Sequence, residues 1–223
     1  MPIINIDQNF GGSQMKIYVL DKVLEYSNNK TEIDKLFSEI DRIISESKYI
    51  FSHLEIGGVE IYDGFYEYFL ENIKSIQEVK VVVKTFKEFS RDILKTTASY
   101  LENAIPEIQI LSDEFYKSPT RESWERLADL IEGIKWIMDI FVIVDKSGEI
   151  ENIVKSYEIW NQYAKDIYSL RELIDEFEEV LQNEDLVSIA DILSYEIGPL
   201  FEKMLGKLNA LVYRDLGSID FSS

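Results

Sequence analysis

Val79-Lys80-Val81-Val82-Val83-Lys84-Thr85-Phe86-Lys87-Glu88-Phe89-Ser90-Arg91-Asp92-Ile93 is the stretch on which the fold turns. From Val79 to Val83 the residues are almost all β-branched, which suits a pleated and half-buried strand. From Phe86 the apolar positions recur at steps of three and four, which is the period of a helix face. Strand signals lie only before this junction, and only helical signals follow it. The chain therefore reads as segregated α+β, with a domain boundary at 85/86.

Upstream, Lys16-Ile17-Tyr18-Val19-Leu20 reads as a strand. Thr31-Glu32-Ile33-Asp34 carries a capping-box pattern and opens a helix whose apolar face is Ile33, Leu36, Phe37, Ile40, Ile43 and Ile44. Two alternating runs, Tyr49–Ile56 and Val59–Tyr62, flank Gly57-Gly58. A Gly-Gly pair supplies the positive φ angles that two-residue hairpins need. The implied register pairs Ile56 with Val59, Glu55 with Glu60, Leu54 with Ile61 and His53 with Tyr62. It turns Leu54, Ile56, Val59 and Ile61 inward. A short helix over Phe65–Ile76 precedes the Val79 strand. The order strand, helix, strand, strand, helix, strand is that of ferredoxin-like sandwiches.

Downstream, four long helices are expected over about 86–117, 119–145, 149–182 and 185–212, from apolar steps of three and four. Short connections make neighbours antiparallel. Ser118-Pro119 reads as the cap and first position of the second helix. Of the 15 residues from Leu130 to Val144, 11 are apolar, so this helix is expected to be buried on most sides. Pro106 and Pro199 each remove a backbone donor, and kinks or breaks are expected there. The expected fold is thus a small N-terminal α/β sandwich (1–85) followed by an antiparallel four-helix bundle (86–215) and a tail (216–223), mostly helical.

The chain has 223 residues, with 42 acids against 23 bases and a net charge of -19. The imbalance is local. Residues 1–95 hold 16 acids and 12 bases, whereas residues 96–223 hold 26 acids and 11 bases. A surface this acidic disfavours nucleic acid and anionic membrane as partners. The absence of cysteine removes disulfides, thiolate metal sites and thiol nucleophiles, and fits a cytoplasmic setting. Met1-Pro2-Ile3-Ile4-Asn5-Ile6-Asp7 lacks the basic flank and long apolar stretch of a signal peptide. No run approaches the roughly 18 apolar residues of a membrane span.

Between Arg171 and Lys203 there are ten acids and no base. Glu172, Asp175, Glu176 and Glu179 share one helix face, opposite Leu173, Ile174 and Phe177, and Glu184 and Asp185 follow. The stripe reads either as a docking face for a basic partner or as a solvated face that keeps the protein soluble. A basic row, Lys80, Lys84, Lys87, Arg91 and Lys95, offers contact with that stripe, within the chain or between copies, or is simply exposed. His53, Glu55 and Glu60 share a hairpin face, which makes them weak candidates for an N/O metal site and otherwise the wet side of the hairpin. Trp124 and Trp160 lie on or near core seams. Trp136 lies off its seam and is the expected contact with the N-terminal domain or a second chain.

The only histidine, His53, lies outside the helices, so neither a Glu-x-x-His di-iron site nor a Ser-His-Asp triad fits the bundle. No glycine-rich phosphate loop or EF-hand loop is present. No cofactor is therefore expected.

Asn183-Glu184-Asp185-Leu186-Val187-Ser188-Ile189-Ala190-Asp191-Ile192-Leu193-Ser194-Tyr195-Glu196-Ile197-Gly198-Pro199-Leu200 resembles a segment near the C-terminus of uncharacterised helical-bundle proteins of Firmicutes, some associated with motility. The resemblance implies a cytoplasmic bacterial helical protein and supplies no catalytic residues. The function expected from the whole sequence is a non-enzymatic adaptor. It would bind a basic protein partner through Glu172, Asp175, Glu176, Glu179, Glu184, Asp185 and Trp136, with homodimerisation as a further possibility. The alternative is a small-molecule-binding protein or carboxylate enzyme with its site between the two domains.

Overall fold

A computed structural model gives the fold of the chain, and it describes residues 14–212. The tail expected at 216–223 lies outside the described residues. The chain divides into two compact units between Phe89 and Ser90.

The first unit carries β1 (Gln14–Val19), β2 (Lys22–Ser27), α1 (Ile33–Ser45), β3 (Tyr49–Ile56), β4 (Val59–Ile61), α2 (Phe65–Asn72) and β5 (Glu78–Thr85). The strands form one mixed sheet in the order β2-β1-β5-β3-β4. β1 and β5 are parallel, and every other pair is antiparallel. The expected order of strands and helices is present with one strand more. β2 makes the sheet five-stranded, where a ferredoxin-like sandwich has four. Met15, Ile17, Val19, Leu54, Ile56, Val79 and Val81 line one face and form a single core with Ile33, Leu36 and Ile40 of α1 and Phe69 of α2. The result is a two-layer sandwich whose other sheet face carries Lys16, Tyr18, Glu55, Glu60 and Lys80.

The hairpin register is as read: Leu54 opposes Ile61, Glu55 opposes Glu60 and Ile56 opposes Val59, across Gly57 (φ 60°) and Gly58 (φ 81°). Val59, expected inside, is 55 % exposed at the sheet edge. Thr31 does not cap α1. A short 3₁₀ turn, Lys30–Glu32, precedes the helix, and the Asn29 side chain accepts from the Thr31 N–H instead. α2 is shorter than expected because the chain turns on the Asn72 carbonyl, which accepts from the N–H groups of Ser75 and Ile76.

The second unit is built on α3 (Phe86–Phe115), α4 (Arg121–Asp145), the single turn α5 (Ile150–Ile153), α6 (Tyr157–Gln182), α7 (Leu186–Asp191) and α8 (Gly198–Val212). Phe115 of α3 packs on Trp124 of α4, and Tyr100 packs on Trp136, so the two helices run antiparallel. α6 lies against α4 through Phe141 and Trp160, and against α8 through Asp166 and Lys207. The Ser112 hydroxyl of α3 donates to the Ala190 carbonyl of α7. These contacts close an up-down four-helix arrangement.

Four local expectations change, and the interruption expected at Pro199 is present as a wide helical turn. The cap of α4 is Thr120, whose hydroxyl and backbone exchange hydrogen bonds with Ser123, so Pro119 stands outside the helix. The third stretch breaks at Val154–Ser156, where Ser156 accepts from the Ile159 N–H and starts α6 afresh. α3 runs unbroken through Pro106. Pro199 follows a π-helical turn, Ile192–Ile197, in which the Gly198 N–H reaches Leu193 O five residues back. The wide turn joins α7 to α8 without a loop. α4 is also less enclosed than its composition suggested. It buries Leu127, Ile134, Ile137, Phe141 and Val144, while Val142 and Ile143 are exposed.

Candidate functional site

α6 places the acidic stripe. Its buried side carries Leu170, Leu173, Ile174 and Phe177, which turns Glu172, Asp175, Glu176 and Glu179 outward, all four exposed. None of these four, nor Glu184, forms an ion pair among the described residues, although carboxylates elsewhere in the bundle do. Glu125 pairs with Arg121, Glu107 and Glu114 pair with Arg126, and Asp166 pairs with Lys207. The stripe runs to the C-terminal end of α6, where the helix dipole disfavours negative charge and no basic residue occupies the last turn. Asp185 has a local task. Its carboxylate accepts from the Ser188 N–H (3.1 Å) and hydroxyl (2.8 Å), which caps α7 and holds the carboxyl below its usual range.

The basic row is divided among other tasks. Lys80 and Lys84 lie on β5, and Lys80 donates to Glu55 at 3.1 Å. Lys95 stands 4.0 Å from Asp92, and Arg91 donates to the Ile153 carbonyl at 3.4 Å.

The hairpin does bring His53, Glu60 and Tyr62 together. The His53 ring lies 4.6 Å from that of Tyr62, and its Nε2 is 3.8 Å from Glu60 Oε1. The Tyr62 hydroxyl donates to Glu60 at 2.8 Å, and this acceptor pushes the phenol's pKa up. Lys80 draws Glu55 away, so the three candidate ligands do not converge. Among the described residues, no group of three or more His, Cys, Asp or Glu side chains is placed to hold a metal ion.

A slot between α3 and α4 was not legible in the sequence. Its volume is about 270 Å³, with Tyr100, Ala104, Ile108 and Leu130 among its lining residues. Of its lining residues, Arg126 donates to Glu114, which also accepts from the Ser123 hydroxyl (2.7 Å), and these bonds hold the Glu114 carboxyl below the usual range. Tyr100, also in the lining, crosses Gly133 and meets Trp136 edge-on, with ring centroids 6.1 Å apart. Half-buried Trp136 thus has one edge against Tyr100 of α3. A Cβ on Gly133 would lie 1.8 Å from Tyr100 Oη and 2.4 Å from Cζ. Gly133→Ala gains about 1 kcal/mol of helix propensity but displaces the ring, so a net loss of about 1–2 kcal/mol is expected in urea unfolding. In a Tyr100→Ala background the clash is gone, and the same substitution should turn stabilising.

No helix of the described residues is long and apolar enough to cross a membrane. No curated protein and no solved structure matches the chain. Residues 15–85, which span the sheet unit, match the TP0873 N-terminal domain. The helical unit carries the larger match: over residues 92–207 the chain belongs to the family described as a domain of unknown function, DUF8042.

Proposed function

We propose that the protein is a cytoplasmic adaptor that binds a basic protein segment along the outer face of α6. The observation that carries this reading is the exposed run Glu172, Asp175, Glu176 and Glu179, which has no cation against it among the described residues. Like charges at i, i+4 cost a helix about 0.2–0.5 kcal/mol per pair. Acids at the C-terminal end of a helix also oppose its dipole. A face kept acidic against both effects is a reasonable place for function, since binding surfaces are often held at some expense of stability. The partner's Lys and Arg side chains would supply the missing counter-charge, and encounter would be fast and salt-sensitive.

The test neutralises the four carboxylates together (Glu172→Gln, Asp175→Asn, Glu176→Gln, Glu179→Gln). Thermal unfolding is expected to rise by about 2–6 °C as repulsion is relieved. In affinity capture from native lysate read by mass spectrometry, proteins held by the wild-type chain at low salt should be lost with the variant. A variant that keeps every partner while melting higher would overturn the adaptor reading and leave the stripe as a solvated face.

A further inference from the structure

We propose that the groove between α1 and the start of α2 binds a small molecule through an alkylated ammonium group. The proposal is independent of the α6 surface. The groove lies wholly within the sheet unit and has a volume of about 610 Å³, inside the range of small-molecule sites. Four aromatic rings line it: Phe37 of α1, Phe51 of β3, and Phe65 and Tyr66 of α2. Phe37, Phe51 and Phe65 are half-buried, and Tyr66 is 40 % exposed. The rings stand in two pairs. Phe51 and Phe65 are 5.3 Å apart with planes at 85°, and Phe37 and Tyr66 are 6.5 Å apart with planes at 38°. Ring planes so differently oriented present their π faces in several directions, which is how aromatic sites surround an ammonium that carries methyl groups.

The rings decide the ligand's charge. An aromatic face is negative, so it attracts a cation and repels an anion. The fixed charges act in the same direction. Asp34, Asp41 and Glu67 line the groove, and no Lys, Arg or His does. The two bases of α1 are engaged with other acids: Lys35 with Glu32 at 3.0 Å, and Arg42 with Glu39 at 2.7 Å and Glu46 at 2.9 Å. The Ser38 hydroxyl is spent on the Asp34 carbonyl at 2.7 Å. The first-turn N–H groups of α2, which no side chain caps, favour negative charge, and Glu67 in that same turn supplies it. An anion would therefore enter among three carboxylates and four ring faces. A neutral molecule fills the same space but gains neither attraction. A bare ammonium is strongly hydrated and loses its water at a cost, whereas methyl groups lower that cost and pack on the rings.

Four probes separate charge and methyl groups from apolar fit: choline; 3,3-dimethylbutan-1-ol, its neutral carbon isostere; 3,3-dimethylbutanoate, an anion of similar shape; and ethanolamine, which lacks the methyl groups. Each is titrated into the full chain at pH 7 and constant ionic strength and followed by amide chemical shifts. Choline should shift residues around Phe37, Phe51 and Tyr66, and bind at least about threefold more tightly than each of the others. Tyr66→Leu keeps an apolar wall but removes an exposed ring, and should weaken choline by about threefold or more while leaving the alcohol unchanged. The double variant Asp34→Asn/Asp41→Asn, a surface change, should weaken choline by a similar factor and also spare the alcohol. Circular dichroism and thermal melting check that both variants are folded. If Tyr66→Leu does not fold, the double variant and the order of the four probes decide. Any other probe within twofold of choline, unchanged choline binding in either folded variant, shifts confined to other surfaces, or no binding of choline up to about 10 mM would each overturn the proposal.

Discussion

Trp160→Ala is expected to destabilise the helical unit by about 3–5 kcal/mol, the range measured for truncating large buried aromatics. Trp160 is 1 % exposed at the start of α6. Its ring stacks on Phe141 of α4 with centroids 5.3 Å apart and planes at 21°, and leans on Tyr163 at 5.6 Å. The indole N–H donates to Asp145 Oδ1 at 2.9 Å, which ties the end of α4 to the beginning of α6. Alanine would leave a cavity against two aromatic rings, those of Phe141 and Tyr163. Trp160→Phe keeps most of the ring contact and loses only the hydrogen bond. Asp145 is exposed and can turn to water, so that variant should cost about 1–2 kcal/mol. Urea unfolding of the two variants checks both the size and the order. Equal losses would mean that the hydrogen bond, rather than packing, dominates at this site.

Asn28→Ala carries the second large effect, in the sheet unit. Asn28 follows β2, and its amide nitrogen donates to the carbonyls of Ile73 and Ile76, both at 2.6 Å. These two bonds fasten the edge of the sheet to the turn between α2 and β5. The amide can point only one way, since a flip would set its oxygen against two carbonyl oxygens. Alanine leaves two half-buried acceptors without a donor, and a loss of about 2–4 kcal/mol is expected. Asn28→Asp should be at least as damaging at pH 7, because a carboxylate would face both carbonyls. It should recover in part on acidification, when the protonated acid regains one O–H donor. The measurement is the unfolding midpoint of each variant at pH 7 and in mild acid. An Asn28→Asp protein indifferent to pH would contradict the geometry.

The parts of the fold that could be read from sequence are those where one local rule acts unopposed. Gly57-Gly58 needs positive φ at both positions, and the resulting hairpin set the pairs Ile56–Val59, Glu55–Glu60 and Leu54–Ile61 as expected. The change of period at Thr85-Phe86 marked the end of the sheet to the residue. β2 escaped notice because its turn contains no glycine, asparagine or proline. Leu20 itself adopts φ 54°, a conformation no rule assigns to leucine. The break at Val154–Ser156 was hidden for the opposite reason. Ile153 and Val154 are both buried, so the apolar period runs on across a point where the backbone does not.

Of the site residues, the outward aim of the α6 stripe followed from its period. Asp185 looked like one more charge of that stripe, yet it is a cap whose partner lies three residues on. The slot was invisible because its walls come from two helices, with Tyr100 to Leu111 on α3 and Arg126 to Leu130 on α4, and no local pattern in either shows where they part.

The π-helical turn at Ile192–Ile197 has a consequence for how this chain is compared with others. A π-turn holds one residue more than the α-turn it replaces, and one residue is about 100° of rotation. α7 and α8 are therefore two helices out of phase, spliced without a loop. Ile189 and Ala190 bury against one set of neighbours, and Phe201, Met204 and Leu208 bury on a face that an unbroken helix would have rotated away. Any relative that lacks the wide turn must be aligned with a one-residue gap between Ile192 and Ile197. Without that gap, every position from Gly198 onward would be matched to a residue on a different side of its helix.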